Sequence, residues 1–229
     1  MVILIPARAN SKRVPGKALK ELGGKPLIAW SIRAAKQIML SRAVVCSEDN
    51  AILRVAESYG AEVWRRPLYT ATDDAPDLTW LSLALSEYPD ADMFMVHRPT
   101  SPFLTPDTME RAIFDLVAVP DATAMRAMRL ITEHPMKMWT RDGLWMHRAC
   151  GGATDWKVGV EHHSCPTQML PRVYVQTAGL EIIRRSTLES GSLTGDRLLP
   201  LFLEGPEALD INTPEDWARA EEIAKTWTP

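Results

Sequence analysis

Over its first 126 residues the chain alternates short apolar runs with stretches of helical period, and few folds accommodate that alternation. Residues 2–5 and 43–46 join β-branched and small apolar residues without polar interruption, the pattern of strands buried on both faces. Between them, Leu27, Ile28, Trp30, Ile32, Ala35 and Ile38 are spaced to give a helix over residues 26–38 one apolar side, with Pro26 in its first turn. Ile52, Leu53, Val55 and Ala56 repeat the theme over residues 50–59, and Gly60 is a C-terminal stop. Residues 61–64, 93–97 and 122–126 read as further strands, and 77–88 and 106–117 as helices. Strand following helix in this way implies an α/β fold, a doubly wound, mostly parallel sheet covered on both faces.

The alternation then stops. Residues 134–172 hold Met136, Met138, Trp139, Trp145, Met146, Trp156 and Met169 without a sustained period. They read as an inserted arm at about residues 134–175, either a partner surface or a small cluster packed on itself. Regular structure returns with strands at 173–176, 180–183 and 198–203, a turn around 191–195, and a closing helix over 214–226. Asn212 or Thr213 caps that helix, and Glu215 and Asp216 in its first turn suit its dipole.

Length and charge exclude several function classes. A chain of 229 residues is enough for one sizeable core. A net charge of -3 argues against a nucleic-acid-binding surface, and no apolar run is long enough to span a bilayer. Neither a basic flank nor a cleavage signal accompanies the first apolar run, and Cys46, Cys150 and Cys165 lack CxxC spacing. A cytoplasmic protein without a disulfide framework is the expectation.

Against that acidic background, Arg8, Lys12, Arg13 and Lys17 fall within ten residues, directly after the first strand. Ligands of open parallel sheets gather beyond the carboxyl ends of strands. The segment adds Asn10 and Ser11 as hydrogen-bonding side chains and a Pro15-Gly16 turn that lets backbone approach closely. It is not a Walker A loop, because Ala18 follows Gly16-Lys17 where Ser or Thr is required. A polyphosphate site and a solvated basic loop both suit the spacing, and the position after strand one favours the former.

Five stretches, "IPARANSKRVPGKAL", "GGKPLIAWSI", "RRPLYTATDDAPD", "HRPTSPFL" and "LDINTPEDWARAE", together resemble the acylneuraminate cytidylyltransferase family from about residue 2 to residue 224. The resemblance implies a Rossmann-like nucleotidyltransferase fold with a dimerisation arm, and a Mg²⁺-assisted transfer of CMP from CTP to a sialic-acid-like nonulosonic acid with release of pyrophosphate. It places Arg8, Asn10, Ser11, Lys12 and Lys17 on the triphosphate, with Arg8, Lys17 and Asp210 catalytic. Arg66 with the Asp74–Ala75 backbone would meet the base, and Arg98, Thr100, Ser101, Gln168 and Thr177 the sugar acid. Asp210 and Asn212 would hold the metal, and a homodimer is implied, with CTP and the sugar acid the only other partners. Such transfers need charge neutralisation and in-line positioning more than covalent help.

The chain departs from the family pattern at Asn212, where a second aspartate is expected, at Ala18 in place of asparagine, at Thr167 in place of arginine, and in "QTAGLEII". A CMP-Kdo-like or GTP-using relative and a catalytically impaired nucleotide-binding homologue are the alternatives. They separate on whether Mg²⁺-dependent pyrophosphate release needs a particular acid. His147, Cys150, His162, His163 and Cys165 have zinc-binding residue types but match no common zinc spacing. Ser101 lacks the GxSxG context of a hydrolase nucleophile, and His97 reads as structural.

Overall fold

The computed structural model describes residues 1–150 and 161–227; Trp156 and the Gly151-Gly152 pair lie outside them. In chain order the elements are β1 (Val2–Pro6), β2 (Glu21–Leu22), β3 (Lys25–Pro26), α1 (Leu27–Ala35), β4 (Arg42–Ser47), α2 (Asn50–Ser58) and β5 (Glu62–Arg65). There follow α3 (Asp77–Glu87), β6 (Met93–His97), α4 (Pro106–Ala118), β7 (Ala124–Leu130), β8 (Trp139–Asp142), β9 (Trp145–Arg148), β10 (Tyr174–Arg184), α5 (Arg185–Glu189), β11 (Leu198–Phe202) and α6 (Pro214–Ala224).

Seven strands form one sheet in the order β11-β7-β10-β6-β1-β4-β5. β6, β1, β4 and β5 are parallel neighbours, and β10 joins β6 antiparallel, with Leu180 opposite His97. Side chains alternate across the pleat. Ile3, Ile5, Val45, Met95 and Ile182 pack with residues of α1, α2 and α4. Val2, Leu4, Val44, Phe94, Val96 and Ile183 pack with α3 and α5. Both faces are thus covered, as the uninterrupted apolar strands require.

A third cluster matters most for the site. Val14, Leu22, Leu27, Trp30, Phe103, Leu209, Ile211, Trp217 and Ala220 bury one another, joining the segment after β1 to the segment before α6 and to α6 itself. Phe103 meets Trp30 and Trp227 edge-on at 5.4 and 5.6 Å, and Lys20 lies 4.1 Å over the Trp217 ring. The β2–β3 turn, Gly23-Gly24, has φ of +57° and +77°, the two-glycine solution for a tight hairpin. A Cβ at Gly23 would sit 3.1 Å from Ala224 Cβ, so the hairpin approaches α6 through a residue without a side chain.

The chain falls into two compact units, residues 1–127 with 177–229, and residues 128–176. In the second, β8 and β9 pair antiparallel from Trp139↔Arg148 to Asp142↔Trp145, and the His134 imidazole donates to the Pro171 carbonyl at 3.0 Å. Cys165 and Leu170 are buried, whereas Leu144 and Trp145 are 90% and 73% exposed.

Four local expectations change. Pro26 pairs in β3 and precedes α1 instead of opening it. Residues 174–176 and 180–183 are parts of one strand, β10, and Gly179 between them allows close approach, since a Cβ there would lie 3.1 Å from Ser101 Oγ. α5 is too short to show a period. Thr213, not Asn212, caps α6, in a reciprocal box with Asp216.

Trp217 is buried where α6 meets the third cluster. Trp217→Ala is expected to cost about 3–5 kcal/mol, read as a lower urea midpoint with the far-ultraviolet helix signal retained at zero denaturant.

Candidate functional site

β1, β4, β5 and β6 are parallel, so their carboxyl ends share one edge of the sheet. The loop leaving β1 starts with Ala7 N–H bonded to the Cys46 carbonyl at 3.0 Å and returns inward at Val14, which belongs to the third cluster. Gly16, at φ +63°, turns the chain so that its carbonyl accepts from Leu19 and Lys20 N–H at 3.0 and 3.1 Å. The Lys17 side chain then reaches the segment before α6, its Nζ donating to the Ile211 carbonyl at 2.7 Å. Arg13 Nη2 donates to Asn212 Oδ1 at 3.0 Å, and Asn212 Nδ2 to Asp210 Oδ2 at 2.7 Å. Ile211 N–H donates to the Thr100 carbonyl at 2.8 Å, bringing in the turn after β6. Three chain segments far apart in sequence therefore meet at one place.

The field there is positive and incompletely answered. Burial is the main cause lowering the Lys17 pKa; Asp210 opposes it, and Arg13 and Arg8 add to it. Asp210 Oδ1 is buried without a hydrogen-bond partner. Asp210 Oδ1 is an open hard oxygen of the kind Mg²⁺ takes, commonly one or two per ion with the rest from phosphate oxygens. Asn212 Oδ1 is held by Arg13 and its amide nitrogen faces Asp210, so Asp210 fits a magnesium ion carried by a triphosphate, and Asn212 fits it once its oxygen is released from Arg13.

Arg8 and Lys12 converge on Asp73, at 2.8 and 2.5 Å, and Arg8 also donates to the Thr72 carbonyl at 3.3 Å. Asn10 is exposed and Ser11 half-buried in the same loop. Asp74 is exposed, and Ala75 N–H donates to Thr72 at 3.4 Å, so the segment near Arg8 turns tightly. Arg66 is almost fully buried, with its guanidinium 5.6 Å from the centre of the Trp80 ring and 3.8 Å from Glu48. Glu48 in turn accepts from Ala9 N–H at 2.8 Å.

After β6, Arg98 directs its guanidinium at Asp77 (2.6 Å) and Glu181 (3.1 Å), and Arg126 takes the other Glu181 oxygen at 2.6 Å. The sequence reads Arg98 as a cation for a substrate carboxylate; here two protein carboxylates already neutralise it. Beside it, the Thr100 and Thr177 hydroxyls are buried without hydrogen-bond partners, and Ser101 is buried. Gln168 lies in the second unit, in the 3-10 turn Thr167–Met169.

His97 holds this turn by donating from Nε2 to the Ser101 carbonyl at 3.2 Å. That contact is to backbone, so Ser101 and His97 do not form a nucleophile–base pair. In the second unit His163 pairs with Glu161 and meets Trp139 edge-on at 5.1 Å. Among the described residues no three His, Cys, Asp or Glu side chains gather as a metal site. Nor is any helix among them long and apolar enough to cross a membrane.

Comparison with known proteins identifies the family. Residues 2–133 match the family described as Cytidylyltransferase. The CMP-N,N'-diacetyllegionaminic acid synthase of Legionella pneumophila is 30% identical, over 97% of this chain and 95% of its own length. This chain belongs to the cytidylyltransferase family. The N-acylneuraminate cytidylyltransferase of Escherichia coli is 39% identical over 104 residues, covering 45% of this chain and 25% of that protein. The solved structure of a CMP:2-keto-3-deoxy-manno-octonic acid synthetase complexed with CTP aligns over 98% of both chains, with a TM-score of 0.69 at 18% identity, so the α/β cytidylyltransferase fold is shared.

Within this cytidylyltransferase, sequence reasoning gave Arg13 no site role beyond its loop charge and passed over Glu48 and Asp73, all of which touch the residues above. Glu48 and Asp49 look alike in the sequence, and Asp49 is the α2 cap, accepting from Ala51 and Ile52 N–H. Asp73 stands in "TDDAPD", where none of the three aspartates is distinguished by spacing.

Burial pushes the His97 pKa from 6.5 down to about 4. Below pH 6.5 the unfolded chain takes up a proton that the folded chain refuses until about pH 4, so this group's stability contribution is lost as pH falls through that window. Urea unfolding should show a loss of about 3 kcal/mol between those limits that His97→Gln does not share. Removing the Asp73 charge should free Arg8 and Lys12: Asp73→Asn is expected to bind tripolyphosphate roughly twofold to fivefold more tightly in calorimetry, with the gain shrinking in high salt.

Proposed function

We propose that the chain transfers CMP from CTP to a nonulosonic, sialic-acid-like sugar acid, releasing pyrophosphate. The observation that carries this is the meeting of the cationic loop with the Asp210–Asn212 segment through Lys17 and Arg13. That arrangement gives a magnesium–triphosphate both its cations and its hard oxygens. The choice of sugar rests on the full-length likeness to a protein named for legionaminic acid activation and on the shorter likeness to an N-acylneuraminate enzyme.

In this reading the anomeric hydroxyl oxygen of the acid bonds to the α-phosphorus while the bond from that phosphorus to the β-phosphate bridging oxygen breaks. The hydroxyl proton leaves to solvent, and pyrophosphate departs with its electron pair. Lys17 faces the charge that accumulates during transfer; Arg8, Lys12, Asn10 and Ser11 hold the triphosphate. Asp210 and Asn212 would hold the Mg²⁺, which supplies charge neutralisation on the phosphate oxygens. Arg66 and the Asp74–Ala75 backbone take the base. Thr100, Ser101 and Thr177 receive the acid, and Arg98, tied to Asp77 and Glu181, fixes the turn that presents them. The second unit, with Leu144 and Trp145 exposed on its hairpin, serves a homodimer.

The test is pyrophosphate release with Mg²⁺, offering CTP or GTP with sialic-, legionaminic-, pseudaminic- or Kdo-type acids. Release with CTP and a nine-carbon acid is expected. Lys17→Ala should lower turnover about a hundredfold or more with an unchanged circular dichroism spectrum. Release only with the eight-carbon acid, or only with GTP, moves the assignment; no release with any pair overturns it.

A further inference from the structure

Glu48 carries a buried charge that the roles above leave unused. It directly follows β4, and its neighbour Asp49 is fixed as the α2 cap, so the backbone at this point has little freedom. Glu48 Oε1 accepts from Ala9 N–H at 2.8 Å, inside the cationic loop. Glu48 Oε2 lies 3.8 Å from Arg66 Nη2, beyond hydrogen-bond reach, and has no hydrogen-bond partner at all. Arg66 Nε is also buried and unpartnered. The two side chains are 11% and 5% exposed.

A buried ion pair serving stability alone closes into direct, preferably bidentate hydrogen bonds, because only these offset the desolvation of both charges. This pair does not close. Arg66 is held instead by its backbone N–H on Ser47 at 3.1 Å, by the Trp80 ring, and by the Glu48 charge at a distance. Arg8 and Asp77 also act on it through space. Burial lowers the Arg66 pKa and Glu48 is the largest influence opposing that, consistent with the carboxylate as its counter-charge.

We propose that Glu48 is a positioning residue that couples the loop after β1 to Arg66: one oxygen fixes the backbone at Ala9, and the other aligns the guanidinium by charge while leaving its Nε–H for the pyrimidine of the bound nucleotide. The inference rests on the nucleotide-transfer reading of this site and adds a specific demand to it. Disturbing Glu48 changes how the base is held before it changes how the phosphates are held.

Calorimetric titration of the full chain with CTP and, separately, with inorganic tripolyphosphate tests this. Glu48→Gln keeps an acceptor for Ala9 N–H but removes the charge facing Arg66. It is expected to weaken CTP binding about tenfold and to leave tripolyphosphate binding within about twofold. Glu48→Ala removes both contacts and should weaken both ligands. Melting curves identify any variant that fails to fold; should Glu48→Ala fail, the Glu48→Gln comparison alone decides. Unchanged CTP affinity in Glu48→Gln overturns the proposal, as does an equal loss for both ligands, which is the signature of a structural role. A wild-type protein that binds CTP, loses it in Glu48→Gln, yet releases pyrophosphate with no acid sinks the transfer reaction and leaves the coupling standing. A wild-type protein that binds no CTP overturns both.

Discussion

A lysine ammonium held 2.7 Å from a backbone carbonyl, Lys17 on Ile211, is only as well placed as the two segments it joins. Neither segment is regular structure. The loop after β1 is fixed by Val14 and by the turn at Gly16, and the stretch before α6 by Leu209 and Ile211, whose side chains enter the same apolar cluster as Trp30, Phe103 and Trp217. The capping box of Thr213 and Asp216 then sets where α6 begins. Hydrophobic packing, which is non-directional, thereby fixes a directional contact: polar groups at the site sit on short excursions from a buried anchor.

The charges follow a matching logic. A chain of net charge -3 gathers four cations in one loop, and leaving them unanswered would cost stability through mutual repulsion. Two of them, Arg8 and Lys12, share Asp73; the other two, Arg13 and Lys17, take neutral acceptors on Asn212 and Ile211. The loop is thus part satisfied and part available. Asp73 and the Arg13–Asn212 contact are exposed, so these pairs are screened and exchangeable, whereas the Ile211 contact lies where Lys17 is partly desolvated. Exchangeable partners leave these cations open to an incoming anion.

What the sequence disclosed, and what it hid, divides along physical lines. The strands of residues 2–5, 43–46 and 93–97 were legible because burial on both faces leaves no polar interruption, and the helices because an apolar stripe has a period. β10 was split because Gly179 interrupts the apolar run, although the missing side chain is what lets the strand pass Ser101. The cationic loop was legible from charge density alone. Its partners were not: Glu48 and Asp73 are ordinary carboxylates whose meaning comes from which chain segment lies opposite, and one-dimensional spacing does not carry that. The same limit applies to Arg98, a sugar-acid contact by resemblance and a cation paired with Asp77 and Glu181 in the structure.

Asn212 shows how one departure from a family pattern reshapes the electrostatics around it. Its amide donates to Asp210 and accepts from Arg13, a pair of bonds that an ionised carboxylate cannot make. An aspartate at this position would set two carboxylates face to face at 2.7 Å, a geometry that requires a cation or a shared proton between them. The asparagine removes that requirement, because its amide donates to Asp210 instead of repelling it. It does so while leaving Asp210 Oδ1 buried and without a partner. With one carboxylate here instead of two, the negative charge of the segment is concentrated on Asp210.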